Sequence, residues 1–303
     1  MNYSVLDECV QALFEQYVPL SQAQRERLSQ FCCSQILAGS SQLSKLASWL
    51  GRTSKQTYRE QWLRRLVQAP FVCQETIYEP WLKQALKGYD APVWHLVLDR
   101  SSLVSREVDL VLVALAYRKR AIPLKWLQIP YGGAAVDPYI ELLNACKRLL
   151  PTDVAVTVHG DAEFGAMPML HFVRRQNWHF ILGQRSHYQV RPTAVNHWQA
   201  LADFPMNKVR GLYLQQMVLT KEHRYWGVNL FGFRHTNQSG QDEKRFYATS
   251  LPIAASLRRL GKRRWGIEAC FQDFKSSGWH LDQSQLQDAT ARAGLLVLLS
   301  CTY

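Results

Sequence analysis

The sequence lacks the segments that mark a membrane protein or a secreted, disulfide-stabilised one. No uninterrupted apolar run reaches the ~18 to 20 residues needed to span a bilayer, and no basic segment followed by an apolar one opens the chain as in a signal peptide. The seven cysteines form no CxxC pair and no Cys/His ligand spacing, so we interpret them as reduced, mostly buried thiols. These absences predict a cytoplasmic bacterial protein without a membrane partner.

Acidic residues are scarce relative to basic ones. The chain has 24 Asp and Glu against 36 Lys and Arg, giving a formal net charge of +12. Such an excess favours nucleic acid as a partner, because Lys and Arg release counterions when they neutralise phosphates. A membrane surface is the competing partner, but no basic amphipathic helix with a clean apolar face is present. The hydrophobic share of 47% is that of an ordinary globular protein.

The first 88 residues have the pattern of a helical domain. Ser21 can cap a helix over residues 22–37, which Gly39 would end. Residues 44–59 show a short helix, a glycine turn and a second helix from about Thr53, as in a helix-turn-helix. That second helix would present three side chains to a DNA groove: Lys55, Gln56 and Arg59. We predict a DNA-binding domain at residues 1–88; an ordinary helical hairpin with a solvated polar face is the alternative.

Residues 89–303 alternate between strand and helix patterns. Three apolar runs predict consecutive strands, at residues 93–98, 108–117 and 122–129. A helix, a strand, a helix and a strand follow, at residues 138–150, 154–158, 167–176 and 178–182. This order predicts a mixed α/β sheet with crossover helices. Residues 186–250, with a turn at 237–240, predict a β-rich insertion with its own packing, and helices at 253–276 and 286–300 complete the domain.

Three carboxylates stand where a phosphodiester-cleaving site could form. Such cleavage needs an activated water and charge stabilisation, which two Mg²⁺ ions held by carboxylates can supply. Asp99 and Asp161 each come just after an apolar strand, and Glu268 lies mid-helix among apolar neighbours. Plainer interpretations exist, since an Asp after a strand is often a turn residue and Glu268 can pair with Arg264 at i−4. Other carboxylates compete for these roles: Asp90, Asp109, Asp137, Asp153 and Glu163.

The surroundings of these carboxylates resemble the DDE transposases of bacterial insertion sequences, in the branch with a β-rich insertion before the catalytic glutamate. Residues 98–101 resemble the first-aspartate strand of that family, and residues 160–165 resemble its second-aspartate turn. The third segment is similar to the Tyr-x2-Arg-x3-Glu-x6-Lys signature. It has Arg264, Glu268 and Lys275 at the family's spacing, with Gly261 in place of the tyrosine. The resemblance covers about residues 90 to 290.

This resemblance implies an RNase H-like, retroviral-integrase-like core with Asp99, Asp161 and Glu268 as catalytic and metal-ligating residues. It implies two Mg²⁺ ions, with Mn²⁺ able to substitute, and nicking at transposon inverted repeats followed by joining of a 3′ hydroxyl to target DNA. Arg264 and Lys275 would hold end phosphates, and Gly261 leaves one phosphate contact in doubt. We expect double-stranded DNA as the partner, a homodimer in the DNA complex, and a nucleoid location when bound.

Two further features of the sequence favour DNA contact. Five cations crowd into seven residues beside Glu268, and such like charges repel unless a polyanion is near: Arg258, Arg259, Lys262, Arg263 and Arg264. Trp226 lies near basic residues in the insertion. Related enzymes stack an insertion tryptophan on a base flipped out near the cut; a structural aromatic is the plainer interpretation.

Two other functions stay open at this point. The chain ends in an apolar run, residues 295–303, where relatives generally continue. It could therefore be a truncated, catalytically inactive DNA-binding remnant, and its exposed apolar end would suit a second subunit. A different nuclease on the same fold is the third possibility, although a general nuclease has little use for a helix-turn-helix.

Overall fold

The computed structural model describes residues 2–103, 107–132, 135–207, 209, 211–236 and 240–303. Its N-terminal part is helical, with α1 Tyr3–Tyr17, α2 Gln22–Ala38, α3 Leu43–Trp49, α4 Gln56–Val67 and α5 Glu79–Ala85. The predicted cap of α2 is confirmed, since Ser21 and Gln24 exchange hydrogen bonds in a capping box and the helix ends at Gly39 with φ of 56°. Helix α4 begins three residues later than predicted, which makes Lys55 its N-cap.

Ten strands in the described residues form one mixed sheet. They are β1 Val93–Leu103, β2 Val108–Tyr117, β3 Arg120–Pro130, β4 Ala155–Gly160, β5 His179–Gln184, β6 Gln189–Pro192, β7 Gln199–Ala200, β8 Leu212–Leu219, β9 Tyr225–Thr236 and β10 Asp242–Thr249. Their order is β3-β2-β1-β4-β5-β10-β9-β8-β6-β7. The central strands β1, β4 and β5 are parallel and the other pairings are antiparallel. Central strands are covered on both faces, which explains why residues 93–98 are mostly apolar.

Residues 186–250 are rich in β-strands, as the sequence predicts, but the expectation that they pack independently is wrong. Strand β10 pairs with β5, opposing Tyr247 to Gly183, so the insertion strands continue the main sheet. The free edge of β5 carries unpaired backbone groups, and β10 satisfies them. Three residues of the predicted turn at 237–240 lie outside the described part of the chain.

The helices between the strands are α6 Asp137–Ala145 and α7 Met167–Arg175, and the single helix predicted over 253–276 is interrupted. It divides into α8 Leu257–Gly261, a 3₁₀ turn Lys262–Arg264, α9 Trp265–Gln272 and a π turn Asp273–Ser277. Helix α9 packs so closely on the sheet that a β-carbon on Gly266 would lie only 2.7 Å from the Arg120 carbonyl oxygen. A 3₁₀ turn changes the direction of the chain, and here it aims Arg264 at β1.

The C-terminal helix α10, Ala289–Thr302, is capped by Asp288 and buried along most of its length. It packs against α2 and α4, and a β-carbon on Gly294 would come within 1.9 Å of the Val67 carbonyl oxygen. The expectation of an exposed apolar end is therefore wrong: the apolar run is core, because the N-terminal helices cover it. None of the helices that the structure describes is both long and apolar enough to cross a membrane.

Candidate active site

The first two candidate carboxylates lie on adjacent parallel strands. Asp99 is inside β1, opposite Leu112 of β2, so its predicted place just past the strand is wrong; β1 continues because β2 pairs with it as far as Leu103. Asp161 directly follows β4, as the sequence predicts. Strands β1 and β4 pair Val97 with His159, and side chains alternate between the faces. Two residues further along, Asp99 and Asp161 therefore lie on one face.

Arg264 links the third carboxylate to the first. Its Nη1 donates to Asp99 Oδ2 at 2.8 Å and its Nη2 donates to Glu268 Oε1 at 2.7 Å. The Arg264 and Asp99 side chains are only 12% and 13% exposed, whereas Glu268 is 56% exposed. The i−4 pair of Arg264 and Glu268 that the plainer interpretation predicts is present. The hydrogen bond from Arg264 to Asp99 links this pair to strand β1.

The charges at this site are unbalanced. Burial raises the pKa of Asp99 to about 6; Arg264 opposes the rise, and the neighbouring carboxylates Asp161 and Glu268 add to it. Asp161 also accepts a hydrogen bond from the backbone N–H of Glu163 at 2.8 Å, as a turn residue would. A nearby cation favours the ionised form of a buried carboxyl and so offsets the effect of burial on Asp99.

The donor set fits a hard divalent metal ion. Among the described residues no three His, Cys, Asp or Glu side chains converge at ligating distances. The Arg264 guanidinium stands between Asp99 and Glu268 and pairs with both carboxylates. Carboxylate oxygens are the ligands that Mg²⁺ and Mn²⁺ prefer. The residues that could hold such ions are Asp99, Asp161 and Glu268.

The predicted cations surround this cluster in different ways. The Lys275 ammonium donates to the Ser102 carbonyl oxygen and so ties the π turn to β1. The side chains of three others are exposed at the approach to Arg264: Arg259, Lys262 and Arg263. Lys262 lies over the Trp265 ring, at 5.3 Å. The exposed three remain available to a polyanion, whereas Arg264 is engaged with carboxylates.

The remaining predicted DNA contacts lie on other elements. Lys55 and Gln56 are exposed at the start of α4, but the Arg59 guanidinium turns back toward the Arg52 carbonyl oxygen at 3.4 Å. Trp226, on β9, is 48% exposed and its ring lies over the Arg191 guanidinium at 5.0 Å. Neither α4 nor β9 carries one of the three carboxylates.

A polar pocket next to Asp161 was not predicted. It has a volume of about 270 Å³ and extends from Arg264 across β5 to β10. Its lining includes Gly183 and, on β10, Arg245 and Tyr247. The available signal was the alternation of Arg245, Tyr247 and Thr249, which places a cation and an aromatic ring on one face of a strand.

The profile of the family described as "Transposase DDE domain" matches residues 111–303, which include Asp161 and Glu268, while Asp99 precedes its first residue. No curated protein matches the sequence. A piggyBac transposase synaptic complex with hairpin DNA is similar in structure at 10% identity and a TM-score of 0.47, over 99% of this chain and 71% of that one. An Argonaute of Marinitoga piezophila with a 5′ OH guide RNA is similar at 7% identity and a TM-score of 0.30, over 80% and 36%.

Proposed function

Because the chain belongs to the transposase DDE-domain family, we propose that it binds transposon ends and nicks them by metal-dependent phosphodiester hydrolysis. The same site would then join the 3′ hydroxyl to target DNA. The observation that carries this proposal is that Arg264 pairs with both Asp99 and Glu268, while Asp161 lies near enough to raise the pKa of Asp99. The strand order β3-β2-β1-β4-β5 supports an RNase H-like core, with Asp99 on β1, Asp161 directly after β4, and Glu268 on α9, which packs against β1, β2 and β3.

The three carboxylates would hold two Mg²⁺ ions, with Mn²⁺ able to substitute. When bound, such ions activate a water and stabilise charge on the attacking and leaving oxygens. Arg264 would leave its carboxylates for a DNA phosphate, which a guanidinium contacts through two parallel hydrogen bonds. The exposed cations Arg259, Lys262 and Arg263 would hold neighbouring phosphates.

The helices of residues 1–88 are the proposed end-binding domain. Exposed Lys55 and Gln56 stand at the N-terminus of α4, where a recognition helix makes its base contacts. Arg59 is a weaker candidate because its guanidinium is turned toward Arg52. Cutting two transposon ends favours a homodimer in the DNA complex, and the nucleoid of a bacterial cytoplasm is the corresponding location.

A cleavage assay on duplexes that carry the inverted repeats flanking the gene tests this function. We expect nicks at the repeat ends in Mg²⁺ or Mn²⁺, and none in EDTA, because carboxylates without metal cannot activate the water. A scrambled repeat serves as the substrate control. Binding without nicking in either metal would contradict the proposal and indicate an inactive remnant. Equal cutting of the scrambled duplex would instead indicate a general nuclease.

Cleavage at subsaturating Mg²⁺ should depend on pH through Asp99. Because a protonated carboxyl is a poor metal ligand and the Asp99 pKa is raised to about 6, the apparent metal affinity should rise about tenfold per pH unit below pH 6. It should level off above that pH, where Asp99 is already charged. Initial rates measured across this range, at fixed low Mg²⁺, give the profile. If the midpoint of this pH profile lies near the ordinary aspartate pKa of about 4, the prediction for Asp99 is contradicted.

A further inference from the structure

The pocket beside Asp161 has the chemistry of an anion site. Two guanidinium groups, those of Arg245 and Arg264, line it with the single carboxylate of Asp161. Lys244 also borders it, but its ammonium donates to the Ala202 carbonyl oxygen at 2.8 Å. Its volume of about 270 Å³ equals that of roughly nine waters, which is room for a phosphate with part of its sugar. A site for an apolar ligand would be lined mainly by hydrophobic groups, and this one is not.

Tyr247 is held rigidly at the wall of this pocket. Its ring stacks on those of Phe231 and Phe233, with centroids 5.1 and 5.6 Å apart and interplanar angles of 15° and 16°. Burial raises the pKa of its phenol, while Arg264 and Arg245 oppose the rise and Arg245 hydrogen-bonds it. At neutral pH the phenol is therefore a neutral donor placed between two guanidinium groups.

Two glycines lie beside the pocket and its wall. A β-carbon on Gly183 would lie 2.4 Å from the Ala162 backbone nitrogen, so only glycine lets the Asp161 turn lie against β5. Position 261 faces the Phe231 ring at 3.5 Å from an ideal β-carbon. A β-carbon there would make ordinary van der Waals contact with the rings that stack on Tyr247.

We propose that this pocket binds a backbone phosphate of the DNA strand, with Arg245 and Tyr247 as positioning residues beside the carboxylates. The inference rests on the proposed function, because it names where that substrate is held. Arg245 contributes charge, and the Tyr247 phenol donates one hydrogen bond to a phosphate oxygen.

Three isosteric or near-isosteric variants test the pocket. Arg245→Gln removes its charge, and Tyr247→Phe removes only the hydroxyl and keeps the ring stack. Lys147→Gln removes an exposed cation from the turn after α6, where Nζ is bonded to Gln176, and is the matched control. The probe is a labelled duplex of arbitrary sequence, titrated in EDTA over a series of KCl concentrations, with thermal unfolding of each variant recorded.

Arg245→Gln should lower the slope of log affinity against log salt by about 0.9, as loss of one phosphate contact does. Tyr247→Phe should weaken binding about tenfold at an unchanged slope, since no charge is lost. Lys147→Gln should bind like wild type. Wild-type binding by both pocket variants overturns the inference even if the protein cleaves DNA. If both pocket variants bind DNA more weakly but the wild-type protein never cleaves DNA, the pocket is supported and the proposed function is contradicted.

Discussion

Asp161→Asn is expected to lower metal-dependent DNA cleavage by about a thousandfold or more, because a lost metal ligand removes several kcal/mol of transition-state stabilisation. Asparagine has the same shape and keeps an oxygen that can accept the Glu163 backbone hydrogen bond, at 2.8 Å in the structure. The turn after β4 should therefore stay folded. Single-turnover cleavage of an inverted-repeat duplex, at saturating Mg²⁺, measures the effect.

Glu163→Gln is the matched control, since it makes the same change two residues further on. The Glu163 carboxylate is already engaged, accepting from the Tyr139 hydroxyl at 2.5 Å and pairing with Arg100 at 3.1 Å. It should keep most of the wild-type rate. If Glu163→Gln lowers the cleavage rate as much as Asp161→Asn does, the assignment of Asp161 as the second carboxylate of the site is contradicted.

The parts of the fold that follow from local sequence were predictable. Ser21 and Gly39 define both ends of α2, and the apolar runs of the central strands reflect burial on both faces. The pairing of β10 with β5 was not predictable, because it joins segments about sixty residues apart through backbone groups that carry no sequence signal. Nor was the burial of α10, which depends on the N-terminal helices that cover it.

The candidate site shows the same division. Spacing along the chain put Arg264 and Glu268 four residues apart, and the structure pairs them, whereas Lys275 lies in the π turn and donates to the Ser102 carbonyl oxygen. The bond from Arg264 to Asp99 crosses 165 residues, and it follows from the turn at Lys262–Arg264 that breaks the predicted helix. Tyr247 and Arg245 were missed for a related reason, since their place beside Asp161 depends on sheet order.

Arg264→Gln is expected to tighten Mn²⁺ binding by the DNA-free protein about tenfold or more, while lowering cleavage. The Arg264 guanidinium lies 2.8 Å from Asp99 and 2.7 Å from Glu268, where it competes with a metal for both carboxylates. A charge pair at such range is worth up to ~4 kcal/mol at an effective dielectric near 20, and tenfold in affinity corresponds to about 1.4 kcal/mol. Calorimetric titration with Mn²⁺ measures the change.

Cleavage by Arg264→Gln should fall about a hundredfold, since a charge-assisted contact to phosphate is worth about 3 kcal/mol. Opposite effects on metal affinity and on rate separate this role from a structural one, which would lower both. Arg263→Gln, an exposed neighbour, should leave Mn²⁺ affinity unchanged. If Mn²⁺ instead binds more weakly to Arg264→Gln than to wild type, Arg264 does not compete for the carboxylates.

The same competition predicts that DNA and metal bind cooperatively in the wild-type protein. A phosphate that draws Arg264 away frees Asp99 and Glu268 for the metal, so DNA should raise Mn²⁺ affinity, and Mn²⁺ should raise DNA affinity by the same factor. In Arg264→Gln there is no guanidinium to displace, and this coupling should largely vanish. Titrating Mn²⁺ with and without saturating duplex, in both proteins, measures it. Equal coupling in the two proteins would place the source of cooperativity outside Arg264.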